Sequence, residues 1–102
     1  VKTKSKLLPL VTPGALLVEE FLKPLGITEY RLAKDIAVPA RRINEIVHGK
    51  RAISTDTAFR LSQYFGTTAQ FWLTLQADFD IRRMEREGDL PRIERCKLLD
   101  AA

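Results

Sequence analysis

The sequence predicts an all-α domain of five helices, and three observations carry that prediction. Apolar residues recur at three- and four-residue intervals along most of the chain, and no segment alternates convincingly as a half-buried strand does. Hydroxyl residues suited to capping (Thr12, Thr28, and Ser54 or Thr55) stand just before the periodic stretches. Glycines (Gly26, Gly49, Gly66 and Gly88) stand just after them, where a helix most often stops.

In chain order, residues 1–11 read as a flexible arm with three lysines; Pro9 and Pro13 break its short apolar run, so it does not read as a signal peptide. The first helix is expected from Pro13 to Lys23, with Thr12 as N-cap, Pro13 at the first position and Pro24 to Gly26 as its end. Leu17, Phe21 and Leu25 supply its apolar side, while Glu19 and Glu20 fall opposite. The second helix starts after Thr28, whose hydroxyl can cap Tyr30 or Arg31, and buries Leu32, Ala33 and Ile36. The third begins near Pro39, whose fixed φ suits a first turn, and buries Ile43, Ile46 and Val47; Gly49 takes the left-handed position after it. The fourth runs from about Thr55 to Phe65, with Ala58, Leu61, Tyr64 and Phe65 inward. The fifth follows Thr67 and Thr68 and reaches Glu87. It carries two apolar stripes, Phe71, Trp72, Leu75 and Phe79 on one side and Leu73, Ala77, Ile81 and Met84 on the other. One stripe serves the domain's own core, so the second needs another partner. The domain is therefore expected over residues 12–87, with residues 88–102 as a tail, either a short helix or disordered.

A chain of 102 residues is long enough for one core without disulfide or metal staples. The single cysteine, Cys96, excludes an intramolecular disulfide and fits a reducing, cytoplasmic compartment. No apolar run approaches the roughly 20 residues of a membrane span, so no membrane partner is expected. The net charge is +4. Its distribution matters more than its size: Arg31, Lys34, Arg41, Arg42, Lys50 and Arg51 outnumber Glu29, Asp35 and Glu45 within residues 28–51, while residues 78–102 are nearly balanced.

Residues 28–51 read as two short helices joined by a tight turn, a helix-turn-helix, whose second helix fits the DNA major groove. Pro39 and Ala40 open that helix. Ala40, Arg41 and Asn44 share its outer face, opposite Ile43, Ile46 and Val47. Arg41 can pair bidentately with guanine O6 and N7, Asn44 with adenine or a phosphate, and Ala40 can touch a thymine methyl. Arg42 lies at the edge of this face and suits a phosphate. Thr28, Tyr30 and Arg31 open the helix before, whose first N–H groups favour a phosphate, and His48, Lys50 and Arg51 follow the reading helix in position for backbone contact. Two adjacent arginines alone mark no more than a solvated helix face. Here they fall where Leu32, Ala33, Ile36, Val38, Ile43 and Ile46 leave the reading face of a packed motif, which favours double-stranded DNA.

Other residues point to no chemistry. His48 is the only histidine and cannot form a zinc site with one distant cysteine. Glu19 and Glu20 point in different directions on a helix. Trp72 beside Phe71 could stack a base, but the spacing to Leu75 and Phe79 favours core. Phosphate-loop, dinucleotide, nucleophile-elbow and zinc-protease motifs are absent from the sequence, so neither enzyme activity nor a cofactor is expected.

PGALLVEEFLKPLG, RINEIVHGKRAI and FWLTLQ, in this order, resemble the HigA-type antitoxins within the lambda-repressor-like (Xre) helix-turn-helix class. The resemblance runs from Pro13 to about Asp80. It implies a five-helix lambda-repressor-like DNA-binding domain in a homodimeric repressor that binds a palindromic operator, represses its own operon and neutralises a HigB-type toxin, a ribosome-dependent mRNA interferase. It also implies that Arg41 and its neighbours read the operator and that the fifth helix makes the dimer contact, a role that Leu73, Ala77, Ile81 and Met84 suit. Two alternatives stand beside it: an Xre-type regulator without a toxin partner, and an adaptor that uses this fold without touching DNA. One residue departs from the family pattern. Ala37 stands in the turn where glycine is usual, and a left-handed alanine costs about 1 kcal/mol. The expectation is a preserved turn with mild strain, or a slightly longer second helix.

Overall fold

The computed structural model describes residues 10–101; of the predicted arm, residues 1–9 lie outside the described residues. Five helices and one terminal 3-10 turn make up the described secondary structure. They are α1 (residues 13–25), α2 (Glu29–Asp35), α3 (Ala40–Val47), α4 (Thr55–Phe65), α5 (Ala69–Glu87) and the 3-10 turn Lys97–Ala101.

Thr12 caps α1 as expected, its Oγ1 accepting from the Ala15 N–H at 3.0 Å. The end of α1 differs from the prediction. The helix widens into a π-helical stretch over Val18–Leu22 and returns to α geometry over Lys23–Leu25. Pro24 therefore lies inside it. In the wide turn the Lys23 N–H reaches back to the Val18 carbonyl, so the ladder has already shifted from i−4 pairing where Pro24 offers no N–H. Gly26, at φ 66°, stops the helix, and the Ile27 N–H closes onto the Leu22 carbonyl at 2.9 Å. Leu25, assigned to the apolar side, is 59% exposed because it sits in this last turn.

Thr28 caps α2 through the Arg31 N–H at 3.0 Å, and Ser54 rather than Thr55 caps α4. Pro39 precedes α3 instead of forming its first turn: at ψ 141° it is extended, and only its carbonyl joins the helix, accepting from the Arg42 N–H at 2.9 Å. Between α2 and α3 the chain makes a left-handed stop. The Ala37 and Val38 N–H groups donate to the Lys34 and Ala33 carbonyls at 3.2 and 3.0 Å, with Ala37 at φ 59°. Among the described residues Ala37 is the one non-glycine with positive φ, so the turn is kept and α2 is not lengthened.

The core gathers Leu17 and Leu22 of α1, Leu32, Ala33 and Ile36 of α2, Val38, Ile43 and Ile46 around α3, Ile53, Ala58 and Leu61 around α4, and Trp72 of α5. Helix α1 packs on α3 and α5, α2 on α3, and α4 on α5. Trp72 is fully buried, with Phe21 and Phe65 around it and its indole N–H donating to Thr67 Oγ1 at 2.7 Å. Gly14 is buried where α1 meets α3; a β-carbon there would overlap the Ile46 carbonyl. Gln76 of α5 accepts from the Ile53 N–H at 2.8 Å and so anchors the loop that follows α3.

Two expectations for α5 need correction. Phe71, assigned to the core stripe, is 37% exposed, and Leu73, assigned to the spare stripe, is half-buried against the chain's own core. Leu73 follows Trp72 directly and shares its side of the helix with Ala69 and Gln76, whereas Phe71 sits on the rim. Ala77, Ile81 and Met84 remain on the surface. In the tail, residues 90–99 are all exposed.

Candidate nucleic-acid interface

Helix α3 is strongly two-sided. Ile43 and Ile46 are buried on one side, and Ala40, Arg41, Asn44 and His48 are exposed on the other. Arg41 projects furthest, its side chain 86% exposed, and its Nε donates to Glu45 Oε2 at 3.0 Å. The other oxygen of Glu45 accepts from Arg51 Nε at 2.8 Å. One carboxylate thus spaces two cations from different segments. The hydrogen bonds from Arg51 and Arg41 hold its pKa below the usual carboxylate range.

Asn44 Nδ2 lies 3.4 Å from Glu29 Oε1 in the first turn of α2, a long contact that a base or phosphate could replace. The His48 ring turns back on its own helix, with Nδ1 2.8 Å from the Asn44 carbonyl; the Nδ1-protonated tautomer donates there. Arg42 lies apart from Arg41: its guanidinium leans towards α4, with Nη1 3.4 Å from Asp56 Oδ2. Lys50 is exposed, and Arg51 is half exposed.

At the start of α2, Tyr30 is 70% exposed, and the Thr28 oxygen is committed to its cap. Arg31 Nε donates to Asp35 Oδ2 at 2.7 Å, and the Tyr64 hydroxyl donates to the same oxygen at 2.6 Å. The bond from Tyr64, then that from Arg31, lowers the pKa of Asp35, and the bond to Asp35 raises that of Tyr64. The structure therefore brings Arg41 and Arg51 together on Glu45, leaves Asn44 and Lys50 exposed, and turns Arg42 towards α4.

Three participants escape a reading of residue types alone: Glu45, Asp56 and Arg60. Arg60 Nη1 donates to the Ile36 carbonyl at 2.8 Å and to the Ala37 carbonyl at 3.3 Å, while its Nε donates to Asp56 Oδ2 at 2.9 Å. The Asp56–Arg60 spacing is legible as an i,i+4 pair. Its reach to a turn more than twenty residues away in the chain is not.

The helix-turn-helix family model matches residues 18–72. Virulence-associated protein I of Dichelobacter nodosus is 46% identical over 80 residues, which span 78% of this chain and 74% of that protein. The HTH-type transcriptional regulator YbaQ of Escherichia coli K12 is 37% identical over 87 residues, 81% of this chain and 77% of that one. The solved structure of Pseudomonas aeruginosa antitoxin HigA with the higBA promoter superposes with a TM-score of 0.73 at 38% identity, covering 79% of this chain and 89% of that one. The family match spans more than half of the sequence and the HigA structure superposes on most of the chain, so the chain belongs to the Xre-like helix-turn-helix family of regulators and antitoxins that includes HigA.

Proposed function

We propose that this protein is a homodimeric, sequence-specific DNA-binding antitoxin that represses its own operon and neutralises a HigB-type toxin. The exposed face of α3 is the observation that carries the DNA part: Arg41 stands out over a fully buried Ile43, with Asn44 beside it and Arg51 sharing the Glu45 carboxylate. Likeness to an antitoxin solved with its promoter supports the same reading. Arg41 and Asn44 contact base edges, with Ala40 and Pro39 at the groove floor. Thr28, Tyr30, Arg31, Arg42, His48, Lys50 and Arg51 meet the backbone, and Ala77, Ile81 and Met84, flanked by Leu73, form the dimer face. Twofold symmetry places half-sites about one helical turn, roughly 34 Å, apart.

Arg41→Ala tests the reading. Its affinity for the best duplex selected from a random pool should fall by about 10- to 100-fold, one bidentate base contact, while binding to random duplex changes far less. Unchanged affinity for the selected duplex would remove α3 from the interface. The second reading is an Xre-type regulator without a toxin partner; likeness to YbaQ, described as an uncharacterized transcriptional regulator, supports its regulator part. Co-purification of a small toxin encoded beside the gene separates the two.

A further inference from the structure

The turn that aims α3 is held from outside the helix-turn-helix. Ala37 occupies a left-handed conformation that disfavours alanine, and the conformation of residues 36–39 sets the direction in which α3 leaves α2. Helix α3 has eight residues and is about 12 Å long, so a swing of about 20° would move its far end by roughly 4 Å, far outside hydrogen-bonding tolerance. Direct α2–α3 packing through Leu32, Ala33, Ile43 and Ile46 is apolar, and the Asn44–Glu29 contact that joins the two helices is long, at 3.4 Å. Two residues of α4, one helical turn apart, supply direction on both sides of the turn. On the α2 side, Arg60 Nη1 grips the Ile36 and Ala37 carbonyls at 2.8 and 3.3 Å, placing a cation at the negative end of α2. On the α3 side, Asp56 Oδ2 takes Arg42 Nη1 at 3.4 Å while it orients Arg60 Nε at 2.9 Å.

We propose that Arg60 is a positioning residue for DNA recognition: seated on Asp56, it clamps the left-handed turn at Ala37 and thereby fixes the angle at which α3 presents Arg41 and Asn44. The clamp takes the place of the glycine that such a turn ordinarily uses. A permanently charged, planar guanidinium suits the task, because one group serves two carbonyls and a carboxylate at once. Lysine keeps the charge but not the fork.

The proposal rests on the DNA reading above, and its test has an arm that needs no DNA. Wild type, Arg60→Gln, Arg60→Lys, Ala37→Gly and the double variant Ala37→Gly/Arg60→Lys are compared well below their melting temperatures, with helicity checked by circular dichroism. The duplex selected by wild type from a random pool is the specific probe, and random duplex is the control. Arg60→Lys should lose about tenfold in affinity for the selected duplex, the scale of one charge-assisted hydrogen bond, and leave random-duplex affinity and the salt slope unchanged. Arg60→Gln should show the same loss of selectivity. Glycine at position 37 should restore most of the loss in Arg60→Lys, because the turn then keeps its shape unaided. In the DNA-free arm, hydrogen exchange of the Ala37 and Val38 amides should quicken by about tenfold in both Arg60 variants and slow again in the double variant. Wild-type selectivity in Arg60→Lys overturns the proposal, and so does a loss that Ala37→Gly does not restore. If wild type selects no duplex, the DNA reading falls; unchanged amide exchange would then overturn the clamp as well.

Discussion

Glu45 shows how a single side chain can set the balance between selective and indiscriminate binding. It lies between Arg41 and Arg51, bonded to both. Its negative charge opposes phosphate, while its two hydrogen bonds hold the arginines apart in a defined arrangement. Glu45→Gln should therefore tighten random-duplex binding by roughly fivefold at low salt and steepen the salt slope by about one, while the ratio of selected to random affinity falls. Fluorescence anisotropy titrations on both duplexes check this. Asp35 and Glu45 also predict a pH response. Both have pKa values lowered by hydrogen bonds in the folded state, from ordinary values of 3.8 and 4.5. A lowered folded value means that the stabilisation is present above the ordinary value and is lost as pH falls through the folded one. Thermal melts from pH 5 downwards should show a decline that is shallower in Asp35→Asn, whose side chain no longer titrates. Because both carboxylates still reach solvent, with side chains 25% and 23% exposed, the effect is small.

At the scale of the element, α1 is the helix that departs most from expectation. A proline four residues after a glutamate pair reads as a terminator, yet Lys23–Leu25 stays helical because the π-helical stretch before it re-registers the ladder. Local sequence did not reveal this, since π turns have no simple residue signature and are stabilised by what packs on them. Phe21, within the π stretch, lies in the aromatic cluster with Phe65 and Trp72. Gly14 gives a test with a diagnostic sign. In an exposed helix interior, Gly→Ala stabilises by about 1 kcal/mol. Here the new methyl meets the backbone of Ile46 and Val47, which cannot rotate away as a side chain would. Gly14→Ala should instead destabilise by about 1–3 kcal/mol and lower Tm by roughly 5–15 °C in calorimetry. Because the displaced partner is the C-terminal end of α3, selected-duplex affinity should fall as well. A rise in Tm would show that α1 and α3 can part without cost.

For the whole molecule, α5 carries the proposed assembly. Its first half buries Trp72 and anchors the loop after α3 through Gln76, while its second half leaves Ile81 57% and Met84 37% exposed. These residues, with Ala77, lie between the Arg82–Asp78 and Arg83–Asp80 ion pairs, an apolar strip with charged flanks. Ile81→Asp should convert the proposed dimer into monomers in sedimentation velocity and weaken binding to a two-half-site duplex far more than to a single half-site. A dimer unaffected by the change would place the interface elsewhere. No helix among the described residues is long and apolar enough to cross a membrane.

Helix type, order and most boundaries were determined by the sequence alone, because periodicity, hydroxyl caps and left-handed glycines act over three to five residues and need no distant partner. The cap from Thr28, the stop at Gly49 and the buried Ile43 and Ile46 are all of that kind. So is the left-handed turn at Ala37, expected in spite of its alanine. The orientation of charged side chains was decided by the tertiary structure. Arg41 and Arg42 are neighbours in sequence, yet one projects from the surface and the other leans on Asp56, because successive residues on a helix point about 100° apart and only packing says what stands in each direction. The grip of Arg60 on a turn that lies far away in the chain belongs to the same class: long-range hydrogen bonds depend on where two helices meet, and no local pattern encodes that.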